Sequence, residues 1–171
     1  VATHLPAYLA DKAMPAWLGA WALALVGLFN IIGSYTSGVL GGRYSKKNLL
    51  AYIYLARSAV FLLFLVVPVT PASVLIFAAA IGLLWLGTLP LTSGLVAHIF
   101  GPAWMSMLYG IVFFSHQVGS FLGSWLGGVA YDATGSYDVV WWICVGLGIV
   151  AGLLNWPIEE KPVARLAKSA A

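Results

Sequence analysis

The sequence predicts an all-α fold, a polytopic bundle of membrane-spanning helices. Three observations predict it: an extreme apolar composition, five uninterrupted apolar stretches of crossing length, and lysines and arginines gathered at one end of those stretches. The first is the most exclusive. Of 171 residues, 62% are hydrophobic and only 8% are charged, against about a quarter charged in an ordinary soluble domain. A soluble domain of this length leaves roughly 30% of its chain's surface exposed to water, and charge keeps that surface dispersed. With so little charge, lipid is the solvent to expect.

A helix needs about 20 mainly apolar residues to cross a bilayer. The stretches that qualify are 16–40, 48–67, 72–99, 105–131 and 139–156. Residues 1–10 are apolar but too short to cross, and read as the end of a further helix that begins upstream; residues 157–171 read as a polar tail. Only one span carries a formal charge, Arg57, while Asp11, Asp132, Asp138, Glu159 and Glu160 all fall at ends or in connections. Breakers separate the spans: Gly41 and Gly42, Pro68 and Pro71, Gly101 and Pro102, and Thr134 to Ser136. The chain opens on Val1 with no charged segment ahead of a short apolar core, so no signal peptide is expected.

Orientation follows from the basic residues, because positively charged loops stay cytoplasmic. Arg43, Lys46, Lys47, Lys161, Arg165 and Lys168 fall on one side and only Lys12 on the other. Five crossings place the loop after the first span and the tail on that same side, which is expected to be the cytoplasm. Trp17, Trp21, Tyr44, Trp104, Tyr131, Tyr137, Trp141 and Trp156 lie near span ends, where amphipathic rings settle at headgroup level.

The formal net charge of +3 is not arranged as a groove of cations interleaved with stacking aromatics, so nucleic acid is not an expected partner. The single cysteine, Cys144, excludes an intrachain disulfide and a thiolate zinc site. An enzyme would gather a nucleophile, an acid-base pair or metal ligands at one depth. Here no span holds a carboxylate, and His4, His98 and His116 lie in three different segments. No Gly-x-x-x-x-Gly-Lys loop is present to cradle a nucleotide, so neither an enzyme nor a bound cofactor is expected.

The run Gly33 to Gly42 resembles the run Gly119 to Gly128, with glycines at both ends and conservative pairs between. Asn30 precedes the first copy by three residues and His116 the second. The two copies sit three crossings apart and so run in opposite directions, the pattern of an inverted repeat of three helices each.

The loop after the first span reads Gly38-Val39-Leu40-Gly41-Gly42-Arg43-Tyr44-Ser45-Lys46-Lys47. It resembles the signature loop of the major facilitator superfamily, Gly-x-Leu-Ala-Asp-Arg-x-Gly-Arg-Lys. Gly38, Leu40, Arg43 and Lys47 match, Lys46 keeps a charge, Gly42 stands for the aspartate and Ser45 for a glycine. These departures resemble the weaker second copy of that motif, between helices eight and nine of twelve. The resemblance therefore implies the carboxyl-terminal six-helix half of a twelve-helix carrier, lacking most of helix seven. It implies an amino-terminal half of the same polypeptide as partner, with the bilayer and a small solute, and a multi-pass location in the plasma membrane. Residues 115–142, with His116-Gln117 and the Tyr131-Asp132-Ala133-Thr134-Gly135 turn, resemble the monocarboxylate and oxalate-formate branch. For Arg43, Lys46 and Lys47 it implies a gating role, tethering cytoplasmic helix ends, although Gly42 removes the acidic partner.

Intramembrane polar residues usually face a bundle interior or a water-filled path. His116 is the first candidate for solute or proton contact, since Gly119, Ser120, Gly123 and Gly127 follow on its face and histidine titrates near neutral pH. Its plainer role is a bond to a neighbouring helix. Gln117, a quarter turn away, either donates to a solute oxygen or joins helices. Asn30 shares a face with Gly27, Ser34 and Ser37 and divides between the same two roles. Arg57 must snorkel, pair, bond to backbone or act as counter-charge to an anion. His4, with Thr3, lies in the stub that the resemblance makes the cavity-lining helix seven, and is a candidate for solute contact near the outer mouth. Pro90, close to Thr88, Thr92 and Ser93, is expected to kink the third span. The function expected is secondary active transport of a small solute, an organic anion such as a monocarboxylate, by proton symport or exchange. A channel or a non-transporting structural membrane subunit is the alternative.

Overall fold

The computed structural model describes residues 3–163, and they form seven helices without a strand among them. These are α1 (Leu5–Asp11), α2 (Ala16–Gly41), α3 (Lys46–Val66), α4 (Pro71–Trp85), α5 (Thr88–Phe100), α6 (Pro102–Thr134) and α7 (Asp138–Asn155). Arg165 and Lys168 lie outside the described residues. Local chemistry sets the ends. Pro71 opens α4 at a position that needs no N–H, and Thr70 and Ser73 cap each other reciprocally. Gly135 closes α6 at φ 66°, a backbone state that glycine adopts without strain.

Four helical segments are long and apolar enough to cross a membrane: Ala16–Gly41, Lys46–Val66, Pro71–Phe100 taken across its break, and Asp138–Asn155. At 33 residues α6 has the length as well, but Ser115, His116 and Gln117 make its middle more polar than those four. The chain is an all-α membrane bundle.

One expected helix is two. The span 72–99 divides into α4 and α5, with Leu86 and Gly87 outside both. The cause is Pro90, which has no N–H to give the carbonyl four residues back and whose ring crowds it; that carbonyl is Leu86 O. The chain tightens there instead, and the Leu89 N–H bonds Leu86 O at 3.0 Å.

Two seams hold the bundle. Along α2 and α4, Gly33 lies against the Leu83 backbone and Gly82 against Val26, so close that an added Cβ would collide with main chain. Ser37 is buried against Gly87, continuing the seam past the break. Along α3 and α7, Gly148 meets Ser58 and Gly152 meets Leu55, and the Ser58 hydroxyl donates to Val145 O at 3.0 Å. Small residues at such positions let helix backbones approach, which is how helices gain packing energy where no water drives them together.

Between the seams lies an aromatic core in which Trp141 touches Tyr8, Phe61, Phe64 and Phe77. Trp141 is 1% exposed, so its expected place at the headgroup level is corrected: four aromatic neighbours from α1, α3 and α4 enclose it. Tyr137 is likewise buried, stacked on Tyr131 at 4.4 Å. Trp17, Trp21, Tyr44, Trp104 and Trp156 are exposed.

Candidate functional site

The break between α4 and α5 leaves backbone groups without their helical partners, and two of the polar residues singled out in the sequence serve them. Arg57, on α3, donates through Nη2 to Leu84 O at 2.6 Å and to Trp85 O at 3.0 Å. Asn30, on α2, accepts the Leu86 N–H on Oδ1 at 3.1 Å. Thr88 Oγ1 adds a bond to Trp85 O at 3.3 Å. An unserved carbonyl in an apolar interior costs several kcal/mol, so Arg57 and Asn30 make the break tolerable. The Arg57 guanidinium also stands 5.3 Å from the Tyr54 ring centre, a cation–π arrangement.

The same arginine faces a cleft. An open cavity of about 450 Å³ lies between α3, α4, α6 and α7, and among its lining residues are Arg57, Tyr54, His116, Gly119 and Ser120. Among the described residues no aspartate, glutamate or lysine lines it, and its one formal charge is the Arg57 cation. A second cavity of about 270 Å³ adjoins it, lined by His4, Ser124, Gly123 and Trp141 among others, with Trp85, Ser120 and Cys144 common to both. The small residues that follow His116 thus border open space: an added Cβ at Gly119 or Gly123 would meet nothing within 4 Å. Gly127 differs, because the His4 ring closes over it.

The structure therefore brings Arg57 and His116 to one cleft, sets His4 in the adjoining one, and puts Asn30 at the helix break behind Arg57. Gln117 is exposed on α6 and lines neither cavity. His116 is exposed along α6, its ring 6.2 Å from that of Phe113.

The signature loop has its own geometry. Ser45 precedes α3, and the Glu160 carboxylate beyond α7 accepts from Ser45 Oγ at 2.8 Å, Lys46 N–H at 3.1 Å, Lys47 N–H at 3.4 Å and Lys46 Nζ at 3.4 Å. A carboxylate at a helix N-terminus meets both free N–H groups and the positive end of the helix dipole. Burial pushes the Glu160 carboxyl up, but the bonds from Ser45, Lys46 and Lys47 outweigh it and hold the group below the ordinary glutamate value. Lys47 Nζ donates to Trp156 O at 3.1 Å, and the Val163 N–H bonds Ile99 O at 2.8 Å. The segment after α7 is thus fastened to the start of α3 and the end of α5. Arg43 is exposed, without an ion pair among the described residues, and Gly38 faces Pro90.

Two participants escaped the sequence reading. Glu160 looked like one of several tail charges, and nothing local announces a partner 115 residues away. Trp141 looked like an interfacial ring; its position three residues into α7, on the face that also carries the buried Val145, was the signal available.

The sequence model of the Major Facilitator Superfamily matches residues 1–171. The chain belongs to that superfamily. It is also 30% identical, over 148 residues, to the uncharacterized MFS-type transporter YcxA of Bacillus subtilis (strain 168); the match takes in 81% of this chain and 36% of that relative. The chain thus spans about a third of the relative's length. No solved structure matches it.

Proposed function

We propose that this chain is the carboxyl-terminal half of a secondary carrier that moves a small organic anion, a monocarboxylate being the type, by alternating access. The observation that carries the reading is the cleft in which Arg57 stands as the one formal charge, with His116 across from it and no carboxylate on the walls. A desolvated cation attracts an anion strongly in such a place, and its planar fork suits a carboxylate. His116 adds an imidazole, a side-chain type that can pass a proton, so proton symport and exchange for a second anion are the two couplings the cleft suits. Arg57 also grips the carbonyls at the α4–α5 break. Solute held at its free edge is thereby linked to the place where α5 pivots on α4, and rocking of this half against an amino-terminal half would expose the cleft to each side in turn. In this reading the protein is multi-pass in the plasma membrane, with the α2–α3 loop and the tail in the cytoplasm, and its partners are lipid, solute and the rest of its own polypeptide. Resemblance to the monocarboxylate and oxalate-formate branch supports the anion.

The test is uptake of radiolabelled short carboxylates into vesicles holding the full-length protein, wild type beside Arg57→Ala and His116→Ala at matched expression. Saturable uptake and counterflow, lowered at least tenfold in Arg57→Ala, are expected. Uptake that never saturates and shows no counterflow favours a channel; no uptake of any carboxylate removes the anion reading.

A further inference from the structure

α3 begins beside the Glu160 fastening and ends, at Val66, against a second charged place at the opposite end of the bundle. There an open cavity of about 370 Å³ lies among Lys12 at the close of α1, Asp138 at the start of α7, Tyr8, Trp142 and residues 65–69. The Lys12 ammonium stands 5.6 Å from the centre of the Tyr8 ring, and Asp138 opens a helix whose positive end favours a carboxylate there. Among the described residues the ion pairs are Lys46 with Glu160 and Lys161 with Glu159. Lys12 and Asp138 therefore line one space without pairing with each other.

A groove of opposite character leads from it. An open cleft of about 300 Å³ between α3 and α4 shares Val67 with the charged cavity and is lined by Val60, Leu63, Phe64, Ile76 and Phe77 among others; among the described residues Ser73 is its one polar side chain. Val60 lies seven residues before Val67, about 10 Å along the helix axis. Leu63, Val66 and Ile76 are exposed, and on membrane-spanning helices an exposed apolar face meets lipid.

We infer that these two joined cavities hold a phospholipid with a zwitterionic, primary-ammonium headgroup of the phosphoethanolamine type: its phosphate at Lys12, its ammonium at Asp138 and an acyl chain along the α3–α4 groove. The two charges choose the headgroup. Lys12 alone would take any anionic lipid, but Asp138 repels a second negative charge and asks for a positive one. A glycerol headgroup brings the phosphate without that cation. A choline ammonium brings the charge with no N–H to give a carboxylate, whereas a primary ammonium has three donors, and charge-assisted bonds are the strong ones. The groove chooses the source, since a free phosphoethanolamine ester would fill the charged cavity and leave the apolar cleft empty. Trp142, exposed beside the cavity, stands where indole rings settle at headgroup level.

The experiment is native mass spectrometry of the full-length protein in detergent, titrated with phosphatidylethanolamine, phosphatidylcholine and phosphatidylglycerol of identical acyl chains. The first phosphatidylethanolamine is expected to bind with a Kd about tenfold below the other two, close to the worth of one hydrogen bond to a charged group. Asp138→Asn should bring phosphatidylethanolamine and phosphatidylcholine within about twofold. Asp138→Lys makes both charges positive and should put phosphatidylglycerol first, a gain that a misfolded variant cannot give. Equal binding of the three lipids by the wild type overturns the inference, as does an order that Asp138→Lys leaves unchanged. Soluble glycerophosphoethanolamine that displaces the lipid at equal concentration overturns the lipid as occupant.

Discussion

Gly33 to Gly42 in α2 and Gly119 to Gly128 in α6 are spelled alike, yet one copy is closed and the other open. In α2 the small residues meet Leu83, Gly87 and Leu91 across a tight seam. In α6, Gly119, Gly123 and Gly128 face open space, and only Gly127 is covered, by His4. The difference teaches that a small-residue stripe is permission to approach and not an approach. Where another backbone arrives, the stripe becomes a seam; where none does, it becomes the wall of a cleft. The open copy is also the one that follows His116, so the polar residue and the free space occur together.

The sharpest way to break that contrast is alanine at matched positions. Gly33→Ala should cost about 3 kcal/mol, because its Cβ would land on the Leu83 main chain, which cannot turn aside as a side chain can. The folded fraction across a denaturing-detergent titration reads this, and a change below about 0.5 kcal/mol would show that the seam yields. Next in size is Arg57→Met, which strips the Leu84 and Trp85 carbonyls of their charged donor and should cost about 2 kcal/mol. Faster hydrogen exchange at the amides of Leu86 to Leu89 and Leu91, with α3 and α7 amides unchanged, is the expected signature; uniform loosening would deny the arginine its local role.

Glu160→Gln should cost about 1 kcal/mol, since the amide keeps acceptance at one oxygen and loses the ion pair. Protease access to the α2–α3 loop should rise severalfold. The acid dependence has a defined sign: the folded carboxyl lies below its ordinary value, so the fastening is complete at neutral pH and is lost only as pH falls through that lowered value. Loop access that already rises near pH 6 in the wild type would contradict this. Smallest of all, Gly119→Ala should stay within about 0.5 kcal/mol and leave the folded fraction where it was, its Cβ entering open space.

Much of the architecture was legible because a bilayer demands it: helix length, the placing of charges outside spans, and Gly or Pro at each turn all follow from local rules. The limits are equally physical. Pro90 announced a disturbance, but the break falls at Leu86 and Gly87 because proline acts on the carbonyl four residues behind it. Composition placed Arg57 in the membrane, while only the fold could place it beside that break and in a cleft with His116, since helix rotation is set by neighbours. Asn30 takes the second of its two expected roles, a bond to a neighbouring helix, by accepting the Leu86 N–H. Trp141 was misjudged because a tryptophan near a span end reads alike whether its neighbours are headgroups or four aromatic rings.

The Glu160 fastening also orders events in time. The carboxylate that caps the first turn of α3 is encoded 115 residues after Ser45. At about 5–20 residues per second of synthesis, α3 and the signature loop exist for roughly ten seconds before their cap emerges from the ribosome, so the basic loop is fastened only after the helices that lie between it and Glu160 have been made.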